Sequence, residues 1–227
     1  MTKQGFSVAI DGPAGAGKST IARTVAGALG LVYLDTGAFY RTIAYGALQT
    51  HTDLSNTHEV EKYLSEVSIE PQWDAEGLQH MILNGTDVSS LIRSPEVSQS
   101  ASVVAAIPAV REFLLDSQRR VARNHAVIMD GRDIGTVVLP DADVKIFLTA
   151  SAEVRAKRRW IELMEKGSAN TYEQVLAEMI QRDQRDMERE IAPLRQAENA
   201  VLVDTSYLNR EQSIEAVVRL VREAMGA

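Results

Sequence analysis

A chain of 227 residues with 45% hydrophobic and 24% charged residues has room for one sizeable core plus an insertion, which excludes a disordered or fibrous protein. The formal charge of -7 argues against a general coat for nucleic acid and favours a small phosphate-bearing ligand held by a local arginine cluster. With no cysteine there is no thiol catalysis, disulfide or thiolate metal site, and His51, His58, His80 and His125 lack ligand-like spacing, so any metal is expected to arrive with a nucleotide.

Only Lys3 and Gln4 separate the first two residues from a buried-looking stretch, and the longest later apolar run, 103–110, is broken by Pro108. No signal peptide or membrane span is read, and the cytoplasm is the expected location. The run 6–10 reads as a strand and feeds Gly12-Pro13-Ala14-Gly15-Ala16-Gly17-Lys18-Ser19, which fits the phosphate-binding pattern G-x-x-x-x-G-K-[ST]. Glycines let backbone N–H groups turn inward around phosphate oxygens, and the helix expected over 19–29 aims its positive N-terminus at them. Lys18 is expected as an exposed, mobile loop cation, Ser19 as a Mg²⁺ ligand, and Thr20 as the end of the ATP-binding segment. A plain glycine turn before a helix is the simpler reading, but the strand in front favours nucleotide binding.

A second strand, 31–34, closes on Asp35. From about 53 to 100 the pattern changes: runs at 67–69 and 78–83, with turn signals at 74–77 and Asn84-Gly85, suggest an inserted antiparallel hairpin system. It leaves after Asp35 and returns before Asp130, so it is expected to project over the edge where the phosphate loop opens and to bind the acceptor. A helix over 110–121 leads to strands at 126–129, 144–148 and 200–203. This alternation means a parallel sheet covered by helices. Asp11, Asp35, Asp130 and Asp204 end their strands and gather where such sheets bind ligands. Asp130 best fits a Mg²⁺-site carboxylate, directly or through water, while Asp204 reads more readily as an ordinary turn residue than Asp35 does.

Ser151 fits a helix N-cap and precedes Arg155, Lys157, Arg158 and Arg159, with Lys166-Gly167 as the stop. Asn170-x-x-Glu173 has the form of a capping box opening a second helix. That helix carries Arg182, Arg185, Asp186 and Arg189 at spacings that share one face. Solvated charge is the ordinary meaning of such runs, although in a phosphate-loop protein arginines on a hinged helical pair can close over ATP.

Residues 12–20, the segment Asp35-Thr36-Gly37-Ala38-Phe39-Tyr40-Arg41, residues 102–108 with Arg111, the segment Asp130-Gly131-Arg132-Asp133-Ile134-Gly135-Thr136, and Arg182-x-x-Arg185-Asp186-x-x-Arg189 together resemble the bacterial cytidylate kinases. The resemblance spans nearly the whole chain, including 83–88 and Ile92-Arg93 in the inserted region. It implies a P-loop NTPase-type α/β fold, a parallel sheet flanked by helices, with an inserted acceptor-binding subdomain and a helical lid. The parts would be a core (about 1–35, 101–150 and 190–227), an insertion (36–100) and a lid with its flanking helices (151–189). It further implies Mg²⁺-dependent, reversible transfer of the γ-phosphoryl group of ATP to CMP or dCMP, by a monomer with no nucleic-acid or membrane partner.

Carried over residue by residue, Thr36, Tyr40 and Arg41 would face the acceptor nucleotide beside Gly131, Arg132 and Arg189 its phosphate, Ser102, Arg111 and Asp133 the cytosine, and Arg182 and Asp186 the sugar. Lys18, Arg132, Arg158, Arg159 and Arg189 are the expected catalytic cations. Some members have Ser at the position of Thr36, which keeps the hydroxyl, and Ala109 replaces a basic residue of some relatives. The attacking phosphate oxygen already carries charge, about −1.5 to −2 per monoester, so no general base is needed. Two other readings remain on the residues alone: a phosphate-loop kinase of an alcohol, with Asp35 as base, and a nucleotide switch, for which no Asn-Lys-x-Asp element is present.

Overall fold

The computed structural model describes residues 5–226; residues 1–4, on which the reading of the N-terminus partly rests, and residue 227 lie outside them. In chain order, β1 (Ser7–Asp11), α1 (Lys18–Leu29), β2 (Val32–Asp35), α2 (Thr36–Gln49) and α3 (Thr57–Glu66) precede three short strands, β3 (Ile69–Trp73), β4 (Gln79–Leu83) and β5 (Thr86–Asp87). Then come α4 (Pro95–Val104), α5 (Pro108–Asn124), β6 (Val127–Gly131), β7 (Val144–Thr149), α6 (Ala152–Glu165), α7 (Tyr172–Glu188), β8 (Val201–Asp204) and α8 (Arg210–Met225).

The main sheet is parallel throughout, in the order β2-β6-β1-β7-β8. Every residue of β1 and β6 is buried, because helices cover both faces; this is why the strands read as continuous apolar runs. On one face Val8, Ile10 and Ile128 pack against Ile21 and Val25 of α1 and Val217 and Val221 of α8. On the other, Ala9, Leu34 and Met129 meet Phe39 and Ile43 of α2, Val104 of α4 and Leu114 of α5. Each fully buried aliphatic side chain contributes about 1.5–3 kcal/mol, so these two layers are the main favourable term. The register sets Ile10 and Asp35 each opposite Asp130, which brings the ends of β1, β2 and β6 level.

The inserted strands form a separate antiparallel sheet, β3-β4-β5. Its first strand starts at Ile69 rather than at 67, since Ser68 N–H is taken by the Asn84 side chain in the neighbouring turn. The turn residues Asn84 and Gly85 both have positive φ, 49° and 80°, as a tight two-residue hairpin loop requires. Asp74 caps the other turn by accepting Glu76 and Leu78 N–H. The capping box expected at Asn170 is displaced by one residue: Thr171 caps α7 and Gln174 reaches back to it. Asn170 is held in the loop instead, its side chain accepting from Ser168 Oγ and its carbonyl from Trp160 Nε1. Helices α6 and α7 share a small core of their own, Ala156, Val175 and Met179. No described helix is long and apolar enough to cross a membrane.

Candidate active site

The C-terminal ends of β1, β2 and β6 open into a cavity of ≈ 670 Å³ between the phosphate loop, α2, α4, α5 and α7. This is the edge where parallel sheets with reversing connections bind ligands. Ala14, Gly15, Ala16, Gly17, Lys18, Ser19 and Thr20 line it, whereas Gly12 and Pro13 lie beneath. A Cβ at Gly12 would stand 1.9 Å from the Leu148 carbonyl oxygen, so only glycine lets β1 turn here against β7. Gly17 caps α1 in a left-handed conformation with no side-chain cap, which leaves the helix N–H groups facing the cavity.

Lys18 departs from expectation. It is the first residue of α1, only 6% exposed, and its Nζ donates to the Pro13 carbonyl at 2.7 Å. Burial, with repulsion from Arg132, holds the ammonium well below the ordinary lysine range, against the pull of Asp130 and Asp11. Ser19 Oγ donates to Asp130 Oδ2 and Tyr33 OH to Oδ1, each at 2.8 Å. Burial raises the Asp130 carboxyl, with Asp35 adding to the effect and Lys18 and the two hydroxyls opposing it.

The residues expected on the acceptor side come from five places in the chain, and all of them line the cavity: Thr36, Tyr40 and Arg41 on α2, Ser102 on α4, Arg111 on α5, Gly131, Arg132 and Asp133 at and just after the end of β6, and Arg182, Asp186 and Arg189 at α7. Thr36 Oγ1 donates to the Asp130 carbonyl at 2.7 Å, and a Cβ at Gly131 would lie 2.8 Å from that same hydroxyl. Most of the cations are held on acids. Arg41 pairs with Asp35 at 2.6 Å, Arg132 with Asp186 at 2.8 Å, and Asp133 takes Arg111 directly with Arg189 at 3.5 Å. Arg111 also lies over the Tyr40 ring, 5.6 Å from its centroid. Burial raises Asp133 despite these arginines; it also pushes Asp186 up, but there Arg132 and Arg182 outweigh it and leave the carboxyl below its usual range.

Among the described residues Arg182 has no acid in direct contact, and burial together with Arg132 pushes it down to about 10. Arg41 Nε, Arg182 Nε and Arg189 Nη2, on three residues that line the cavity, are buried without a hydrogen-bond partner, as unsatisfied donors beside an anion site are. The face expected on α7 is only partly realised. The helix ends at Glu188, so Arg189 enters the cavity from an extended cap, and Arg185 faces solvent. Of the two expected lid arginines, Arg158 lines the cavity and donates to Thr205, while Arg159 is exposed beside Glu162.

Other residues take roles that the sequence reading did not give them. Asp11 is buried and accepts Ile134 and Gly135 N–H at 2.7 Å each, bracing the loop after Asp133; burial, offset by these bonds, leaves its carboxyl at about 6. Arg155 joins the Ala150 and Ala14 carbonyls to Asp183, tying α6 and α7 to the phosphate loop. Its position in a basic run gave no sign of this. Glu162, Leu208, Asn209, Arg210 and Ser213 line the far end of the cavity. Asp204, as expected, is a strand-ending turn residue that accepts from Ser206.

Among the described residues no group of three or more His, Asp or Glu is placed to hold a metal by itself. The pair Ser19 and Asp130 does fit a Mg²⁺ ion that takes its other oxygen ligands from phosphate and water.

The cytidylate kinase family model matches residues 8–223. A cytidylate kinase of Bacillus cereus (strain ATCC 10987 / NRS 248) is 48% identical over 216 residues, covering 95% of this chain and 96% of that one. A cytidylate kinase of Bacillus cytotoxicus is 47% identical over 220 residues and covers 97% of both. Among solved structures, a shikimate kinase from Bacteroides thetaiotaomicron covers 98% of this chain and 99% of its own at 15% identity and a TM-score of 0.47, too distant to bear on function. With the family model matching from β1 to α8 and relatives 47–48% identical over nearly the whole chain, the chain belongs to the cytidylate kinase family.

Proposed function

We propose that this protein transfers the γ-phosphoryl group of ATP to CMP or dCMP, giving ADP and CDP or dCDP. The observation that carries this reading is the union, in one cavity, of a phosphate loop and a set of buried or half-buried arginines from α2, α5, the 131–133 loop and α7. The loop N–H groups and Lys18 would hold the donor phosphates, while Arg41, Arg132, Arg182 and Arg189 hold the acceptor phosphate and sugar. Lys18 has to exchange the Pro13 carbonyl for a phosphate oxygen, which restores to a buried ammonium the charge partner it lacks. Arg158 would close on the transferring group from α6.

Bound Mg²⁺, held by Ser19 and Asp130, would neutralise the β and γ phosphates. The chain's own task is alignment and charge neutralisation, since the acceptor oxygen needs no base. An alcohol kinase would require a free carboxylate in that place, and Asp35 is already engaged by Ala38 N–H and Arg41. Asp133, with Ser102 and Arg111, is assigned to the cytosine, whose exocyclic amine a carboxylate accepts. Helices α6 and α7 serve as lid and the inserted segment 36–100 as acceptor lobe of a monomer acting in the cytoplasm on free nucleotides. A coupled assay for ADP release with ATP and Mg²⁺ tests the reading. Release should depend on added CMP; ADP release equal with and without CMP would overturn it.

A further inference from the structure

Strand β2 is one of the two edge strands of the parallel sheet, so among the described residues its outer edge has no strand partner. Two side chains of the inserted sheet take that edge instead. Trp73 Nε1 donates to the Tyr33 carbonyl at 2.9 Å. Gln79 brackets the Asp35 backbone: its Oε1 accepts Asp35 N–H at 2.7 Å and its Nε2 donates to the Asp35 carbonyl at 3.3 Å. Trp73 and Gln79 face each other across β3 and β4, and Tyr33 and Asp35 are two residues apart on β2, so a cross-strand pair of the inserted sheet meets two residues on the same edge of β2.

The bracketed residue occupies a decisive point. Asp35 ends β2 and caps α2, its Oδ1 accepting Ala38 N–H at 3.2 Å, while its Oδ2 holds Arg41 Nη2 at 2.6 Å. A Cβ at Gly37 would lie 3.0 Å from Arg41 Nη1 and 3.1 Å from Asp35 Oδ1, so the ion pair leaves little slack. Thr36, Tyr40 and Arg41 therefore enter the cavity at an angle set by the Asp35 peptide. Gln79 is only 9% exposed and does not line that cavity, so it acts on a nucleotide only through these residues.

We propose that Gln79 is a positioning residue for the acceptor nucleotide, fixing Arg41 and the start of α2 through the Asp35 backbone. This rests on the reading of the α2 side as the acceptor half. Gln79→Met keeps an unbranched chain of similar length but removes both bonds. It should raise KM for CMP roughly three- to tenfold, the loss expected for one or two net hydrogen bonds, with KM for ATP and kcat within about twofold. In an Arg41→Ala background the same change should alter KM for CMP by less than about twofold, because the route has been cut. Amide exchange at Asp35 should accelerate in Gln79→Met whatever the activity.

Gln79→Glu, which still accepts from Asp35 N–H but cannot donate to its carbonyl, provides a second test should the methionine variant not fold; it should raise the same KM. An unchanged KM for CMP in a folded variant, an equal rise in KM for ATP, or full additivity with Arg41→Ala would each overturn the proposal while leaving the activity intact. A wild-type protein idle on CMP would overturn the functional reading, and this assignment with it.

Discussion

The two halves of the cavity are built by different means. On the side assigned to the donor, consecutive residues 12–20 bring main-chain N–H groups, Lys18 and the Ser19 hydroxyl to a helix terminus, and among the described residues their long-range side-chain hydrogen bonds are those with Asp130 and Arg155. On the side assigned to the acceptor the Arg41–Asp35 pair is local, but Arg111 and Asp133 are 22 residues apart and Arg132 and Asp186 are 54 apart, yet they form direct ion pairs. A phosphate is a generic ligand and a backbone nest suffices for it. A particular nucleotide needs side chains of chosen chemistry, and the acids that hold its arginines in place also limit their motion before substrate arrives.

The largest expected effect lies on the donor side. Lys18→Ala should cut kcat with CMP by about 10²–10³, while the melting temperature stays within about 4 °C, because a buried ammonium with a single carbonyl partner adds little to folding. Near-normal turnover would break the comparison by making the backbone nest sufficient for transfer as well as for binding.

The next effect separates the halves. Asp133→Ala leaves Arg111 and Arg189 buried without their shared acid, so both stability and kcat/KM for CMP should fall, the former by about 3–5 kcal/mol. If Asp133 reads the base, the advantage of CMP over UMP should narrow, since uracil offers a carbonyl where cytosine offers an amine. An unchanged ratio in the two-substrate kinetics would reduce Asp133 to a brace.

The smallest effect lies outside both halves. His80 follows Gln79 on β4 and so points to the opposite face, where its Nδ1 meets Asp87 at 2.8 Å and its Nε2 meets Asp74 at 3.2 Å. Hydrogen bonding to Asp87, then to Asp74, raises the imidazole above its usual 6.5. Because the folded value is the higher one, the stabilisation is complete below pH 6.5 and is lost as pH rises through the folded pKa. An NMR titration should show the raised value, and melts above neutrality should show a small decline that His80→Gln removes without changing kcat.

This contrast also governs what could be read in the sequence. The phosphate loop and the five core strands were legible because their signals are short-range: a glycine pattern after an apolar run, and runs ending in aspartate. Helix α2 carried no clear signal, since its apolar residues lie on several sides and are buried by both the sheet and α4. The burial of Lys18 was missed because the exposure of a residue at a helix start depends on what packs over it. The roles of Arg155, Asp183 and Gln79 are fixed by partners as much as 141 residues away, and no local pattern encodes such pairs. The residues assigned to the acceptor come from the family resemblance, which carries long-range information that spacing lacks.

The most direct test of the central claim is turnover of a panel of nucleoside monophosphates with ATP and Mg²⁺, read as the diphosphate product. CMP and dCMP should be converted, UMP poorly or not at all, and AMP and GMP left unchanged. Conversion of AMP or GMP in preference to CMP, or failure to convert CMP and dCMP, would contradict it.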